Sequence, residues 1–244
     1  MELSVLEIAL AIIIVAIGTS IQAAIGFGLA MIAAPLLILV DRAFVPAPLI
    51  AAALVLVICM AYKDRAAIDL GNFKVALLGR VIGTPPAAWL LGTVSAASFD
   101  ILFAVLVLLA VGVSLIHANI KATPMNVFLA TIASGFMSTI SSIGGPPIAL
   151  VYQNAKGPEL RANLSVLFIL GCSISLGALF IIGKFTFSDL AYAGVLILGV
   201  VLGLLISGPV KRFVDQSTAR PYLLGLCFIS ASLVLLRALL NIYA

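Results

Sequence analysis

Charge is what this chain has least of. Of its 244 residues 9% are charged and 64% are hydrophobic, where an average soluble protein is about 25% charged. Apolar runs recur along the whole length, so there is no separate soluble domain and no connection long enough to hold one. Histidine occurs once, as His117 at the end of an apolar run, and Cys59, Cys172 and Cys227 are scattered singly. That spacing builds neither a zinc site nor a histidine-based triad, and the cysteines read as small buried hydrophobes. No acidic residue lies deep in an apolar run, so the usual carboxylate proton relay is not visible. The hydroxyls of those runs have no base beside them, which argues against an enzyme, and no cofactor is implied. The net charge of +4 resides in short connections, a topology signal rather than a nucleic-acid footprint. The N-terminus, with Glu2 and Glu7, lacks the positive start of a signal peptide and reads as mature structure.

What the chain does have is eight apolar regions: Leu3 to Val40, Pro46 to Tyr62, Phe73 to Gly92, Phe99 to His117, Pro124 to Gln153, Ala162 to Gly183, Leu190 to Val210 and Tyr222 to Tyr243. Each can cross a hydrocarbon core of roughly 30 Å or enter it deeply. The first and fifth are far longer than one span, and each contains a break. In the fifth, Gly144 and Gly145 lower helix propensity, and Pro146 and Pro147 remove two backbone donors. In the first, Gly26-Phe27-Gly28 interrupts a run that continues to Pro35. An opened backbone is tolerated in hydrocarbon only where protein buries it or where it lines a wet cavity. Both regions therefore read as helix-break-helix hairpins.

The second half repeats the first. Gly18 matches Gly135, Gly28 matches Gly145, and Gly79 and Gly83 match Gly199 and Gly203, at an interval near 117 to 121 positions. Residues 1–121 and 122–244 form two copies of one hairpin plus three spans, joined at Lys121-Ala-Thr-Pro124. If each broken region returns to the side it entered from, Lys63, Arg65, Lys74, Lys121, Lys156, Arg161, Lys211, Arg212 and Arg220 share one face, against Arg42, Lys184 and Arg237. If each instead crosses once, the same residues divide equally and set no orientation. The positive-inside rule thus favours hairpins, with both termini outside and the two halves inverted. The fold class expected is an all-α polytopic membrane protein of two inverted repeats, the pattern of many secondary transporters.

A helix that restarts after a break offers free N–H groups and the positive end of its dipole to an anion. The restarts after Gly26-Phe27-Gly28 and after Gly144-Gly145-Pro146-Pro147 are the two expected ends, facing one another. Ser20, Gln22, Ser138, Thr139, Ser141 and Ser142 stand just before them as added donors. The competing reading is that small residues only let helices pack and that the hydroxyls bond their own backbone. Arg80 is the one charge well inside an apolar run; it either faces the site or snorkels toward the surface beside Lys74. Gly79, Gly83, Gly199 and Gly203 read as close helix packing. Pro85 and Pro86 are positioned to kink their helix and Pro209 to end its own, while Trp89 and Tyr243 fit interfacial anchoring.

At Ser142-Ile-Gly-Gly-Pro-Pro-Ile-Ala-Leu-Val-Tyr-Gln153 the chain resembles the sulfite exporter TauE/SafE family, and Gln22 to Pro35 looks like that family's first repeat. The resemblance covers essentially the full length. It implies a permease in the bacterial cytoplasmic membrane that moves small sulfur-containing anions, such as sulfite, sulfoacetate or other organosulfonates, usually outward. Its glycine-proline motif carries over to Gly144, Gly145, Pro146 and Pro147, and its first-repeat glycines to Gly26 and Gly28. A carrier working by alternating access, with the anion between two broken helices, is the function expected; an anion channel of the same architecture is the alternative. The expected partners are the small anion and the lipid bilayer, with no nucleic acid. Proton or sodium coupling and homo-oligomer formation are compatible with the sequence and are not specified by it.

Overall fold

The computed structural model describes residues 3–116, 120–155, 157–213 and 216–243; the side chains of 96–97, 209–223 and 241–243 lie outside that description. The expectations on His117, Lys156 and the Lys211, Arg212, Arg220 and Tyr243 side chains therefore fall outside the described residues. All secondary structure among the described residues is helical: α1 Val5–Ile25, α2 Leu29–Val40, α3 Ala47–Lys63, α4 Phe73–Thr93, α5 Ala96–Leu115, α6 Pro124–Ser141, α7 Gly145–Val151, α8 Gly157–Ile181, α9 Phe187–Phe213 and α10 Gln216–Tyr243. Five of these, α1, α4, α5, α8 and α9, are long and apolar enough to cross a membrane, and α2 and α3 are shorter apolar helices. Starts follow ordinary capping chemistry. Ser4 and Glu7 form a capping box at α1, and Ser95 and Thr123 cap α5 and α6 through their hydroxyls.

The first and fifth apolar regions reverse direction at their breaks. A Cβ built on Gly18 would lie 3.0 Å from the Leu29 side chain and carbonyl. In the second region the Ser134 hydroxyl donates to the Gly144 carbonyl, ten residues on. A continuous helix would separate such positions by about 15 Å. The turns rest on left-handed residues at the helix ends: Gly26 at φ 103° closes α1 and Ser142 at φ 63° closes α6. Gly28, at φ 131°, precedes α2; a side chain at either first-repeat glycine would be strained. Arg161 at the start of α8 donates to Asp64 at the end of α3, 2.9 Å away, and the Asn163 side chain accepts from Asp69 N–H. These contacts hold the ends of α3 and α8 on one face, which agrees with a returning second hairpin.

Helices pair across the two halves: α1 packs on α9, α4 on α6, α3 on α8 and α5 on α10. The glycine stripes make the first two pairings possible. A Cβ on Gly83 would lie 2.2 Å from the Ile132 carbonyl oxygen, and one on Gly79 2.7 Å from that of Phe128. On the other side, Gly203 and Gly199 meet the carbonyls of Ala16 and Ile12 at 2.5 and 2.7 Å by the same construction. Backbone is touching backbone, as the packing reading requires. Ile12 and Phe128, and Ala16 and Ile132, are each 116 positions apart, as are the residues that close α1 and α6. The hairpins therefore match one register step short of the interval expected from glycines alone, and Ser134, not Gly135, takes the place of Gly18.

Two expectations are corrected. Pro209 does not end its helix, since α9 continues to Phe213; Pro85 and Pro86, expected only to kink α4, lie inside it. Cys59 is exposed on the outer surface of α3, while Cys227 is buried and Cys172 is partly so; an exposed thiol on an apolar span costs nothing where lipid is the surroundings. Trp89, near the end of α4, is 69% exposed.

The backbone contacts make a direct test. Gly83→Ala is expected to destabilise the detergent-solubilised protein by at least about 2 kcal/mol through overpacking, read as a lower thermal midpoint. Gly112→Ala, whose added methyl meets nothing within 4 Å, is expected to be neutral or to gain up to about 1 kcal/mol from helix propensity.

Candidate functional site

The two breaks meet. A Cβ on Gly145 would lie 3.5 Å from Phe27 Cβ and 3.7 Å from the Phe168 ring. Beside this contact is a cavity of about 50 Å³, room for a few waters or one small ion. The first hairpin contributes Gln22, Phe27, Gly28, Ala30 and Met31; the second contributes Ser138, Ser142, Ile143, Gly144 and Gly145. Ile50, Ala53 and Val57 of α3 line one wall, and Phe168, Gly171, Cys172 and Ser175 of α8 another, with Arg80 reaching in from α4. Many of these residues are equivalent positions of the two halves. Gln22 and Ser138, Phe27 and Ile143, and Gly28 and Gly144 are all 116 apart, and Ile50, Ala53 and Val57 recur at the spacing of Phe168, Gly171 and Ser175.

Arg80 is turned inward and does not snorkel. It is 2% exposed, and its position one residue after Gly79 points it past the α4–α6 contact toward α8. Gly171 makes the space: a Cβ there would stand 2.4 Å from the Arg80 Cζ. Nη1 donates to Ser138 Oγ at 2.8 Å, and Nε has no partner among the described residues. The ion pairs among the described residues are Arg42 with Asp100 and Arg161 with Asp64, so Arg80 has no acidic partner among them. A buried guanidinium without a counter-charge is an expensive arrangement, and it faces a cavity.

The hydrogen-bond inventory shows what that cavity can do. Gln22 Oε1 accepts from Leu29 N–H at 2.9 Å, which caps α2 and leaves the amide NH₂ of Gln22 toward the cavity it lines. Ser142 donates to the Pro46 carbonyl at 3.1 Å. Thr139 Oγ1 donates to the Gly135 carbonyl, so in its 2.8 Å contact with Ser175 Oγ the serine is the donor. Ser138 accepts from Arg80 while turning its own proton toward the Gly135 carbonyl, 3.4 Å away. The hydroxyl protons are therefore engaged by the protein. Donors left for a guest are the remaining Arg80 N–H groups, the Gln22 amide, and the N–H groups of Gly28, Gly144 and Gly145, which helix geometry leaves without an acceptor in their own helices.

Of the expected site residues, Gln22, Phe27, Gly28, Arg80, Ser138, Ser142, Gly144 and Gly145 line the cavity; Ser20, Gly26, Thr139, Ser141 and Pro146 do not. A Cβ on Gly26 would meet Arg161 at 3.2 Å. Thr139 stands behind Ser175, and Ser141 donates to the Met137 carbonyl, so these two hydroxyls follow the backbone-bonding alternative. Pro146 is buried in the first turn of α7. The helix ends are also poorer in donors than expected, because Pro146 and Pro147 carry no N–H and Gln22 already occupies Leu29. The α8 wall was missed by sequence reasoning. Its signal was Gly171 and Ser175 four apart in an otherwise apolar span, together with the unassigned destination of Arg80.

Helical spans, two reversing breaks and a buried cation at their meeting point define a multi-pass membrane protein with an internal cavity. The chain belongs to the sulfite exporter TauE/SafE family, whose model matches residues 10–234. That family consists of membrane transporters of sulfite and related sulfur anions. No curated protein and no solved structure matches the chain.

The fit of Arg80 over Gly171 predicts coupling between them. Gly171→Ala is expected to cost about 1–2 kcal/mol of thermal stability by displacing the guanidinium from Ser138. The same change should be close to neutral in an Arg80→Met background, and a double-mutant cycle of unfolding midpoints measures the difference.

Proposed function

We propose that the protein carries sulfite or a related organosulfonate outward across the cytoplasmic membrane, with the anion held between the two helix breaks and Arg80 as its counter-charge. The observation that carries this reading is the Arg80 guanidinium, buried without an acidic partner among the described residues and lining the cavity. Sulfur oxyanions offer several acceptor oxygens. A guanidinium fork, the Gln22 amide and the glycine N–H groups are all donors, so the two inventories are complementary. The family to which the chain belongs supports the same guest.

Alternating access is the mechanism that suits this arrangement. The recurrence of the same backbone contacts at a constant interval, α4 on α6 and α1 on α9, supports two duplicated units. The distribution of lysine and arginine supports their inversion, with both termini outside. A rocking of one unit against the other would expose the site first to one side and then to the other. The Arg161–Asp64 pair lies where the units touch on one face and would have to open in the state that admits anion from there.

Ligand binding to the native state raises stability by mass action, roughly 2.7 kcal/mol at a hundredfold excess over Kd. Sulfite or methanesulfonate is expected to raise the thermal midpoint of the purified protein, whereas Arg80→Met should abolish that shift while leaving the ligand-free midpoint unchanged or higher, because it removes an uncompensated charge. A wild-type-sized anion shift in Arg80→Met would overturn the assignment of the site.

A further inference from the structure

We infer that the cavity takes its anion in the singly charged form and rejects the doubly charged one. Sulfite would then be carried as hydrogen sulfite, and a sulfonate without a second acidic group would be preferred to one bearing a carboxylate. This rests on the anion-site reading above and adds a charge rule to it.

The rule follows from the charges that face the site. Arg80 is the single charged residue among the described residues lining the cavity. The helices packed on α4 are α6 and α8. From α6, Ser138 faces the guanidinium; from α8, Gly171, Cys172 and Ser175 do so, and Cys172 is the one titratable group among these. One positive charge balances one negative charge. A dianion would leave a full unpaired charge away from water, the situation that buried sites do not tolerate.

The hydroxyls sharpen the rule. The protons of Ser142 and Ser175 point at Pro46 and Thr139, so neither hydroxyl has a proton left to offer a second negative charge. The equivalent of Arg80 in the second half is Val200, by the match of Gly79 to Gly199, and Val200 is fully buried and apolar. Duplication has not supplied a second cation. A guest that titrates near neutrality must therefore arrive with its proton, and the pH dependence of binding belongs to the guest.

The test uses the full chain in lipid nanodiscs and equilibrium binding of methanesulfonate, sulfate and sulfite over the pH range of sulfite's second ionisation. Methanesulfonate affinity is expected to be flat with pH. Sulfite affinity should fall on the order of tenfold per pH unit above that ionisation, and sulfate should bind at least about tenfold more weakly than methanesulfonate. In Cys172→Ala the fall should stay at sulfite's own ionisation whatever the affinity becomes, which separates guest titration from thiol titration. Sulfate binding as tight as methanesulfonate, or a flat sulfite curve, overturns the charge rule while leaving the site standing, provided Arg80→Met still abolishes binding. Binding of none of the three, or binding indifferent to Arg80→Met, overturns the site and the rule together.

Discussion

The structure depends on keeping one guanidinium in the middle of a hydrocarbon-embedded bundle. Burial of Arg80 demands a partner, space and exclusion of lipid at once, and three separate features supply them. Gly79 and Gly83 let α4 approach α6 until backbone meets backbone, which brings Ser138 within 2.8 Å of Nη1. Gly171 leaves α8 without a side chain where the guanidinium stands. The paired breaks then open a small polar space in front of it. Remove any of these and the long side chain has the reach to retreat toward the surface.

The breaks are themselves held in place by contacts that a packing argument alone would not require. Ser142 sits in the left-handed region, which costs a non-glycine residue roughly 1–2 kcal/mol. Its hydroxyl is anchored on the Pro46 carbonyl at the start of α3, so the strained turn of the second hairpin is tied to the first half. Gln22 does the matching work in the other copy by capping α2 across the break. Equivalent positions thus perform different tasks: Ser138 receives Arg80, while Gln22, its counterpart, fixes a helix start and keeps its amide for the cavity.

Much of this was legible in the sequence, and the parts that were not have physical reasons. Closely spaced glycines and prolines at corresponding points of the two over-long apolar runs pointed to opened helices, so the hairpins could be located from Gly26, Gly28, Gly144 and Gly145, whereas the single Gly208-Pro209 step leaves α9 unbroken. The small-residue spacing at Gly79, Gly83, Gly199 and Gly203 foretold close packing because only glycine permits carbonyl contact. The orientation of Arg80 was undetermined, since inward burial and snorkelling differ by side-chain rotation alone; the deciding residue, Gly171, lies 91 positions away. Hydroxyls were overcounted as donors because Thr139 and Ser141 can satisfy themselves on the preceding turn. The poverty of donors at α7 was in plain view, as proline has no N–H to give.

The proposed duplication bears on why the cavity is lopsided. The two hairpins and the walls from α3 and α8 reach the cavity through corresponding positions, so the scaffold is close to twofold, yet its chemistry is not. The α8 wall carries Gly171, Cys172 and Ser175 around the guanidinium, whereas the corresponding α3 wall is Ile50, Ala53 and Val57. A guest held between them meets charge on one side and hydrocarbon on the other. Such a site favours a compact anionic head over a uniformly charged ion, because the apolar wall returns nothing for the hydration a second charge would lose. In the transport reading proposed above, the correspondence of the halves would supply the hinge between them, and its local violation at Arg80 and Val200 the polarity by which a guest is recognised.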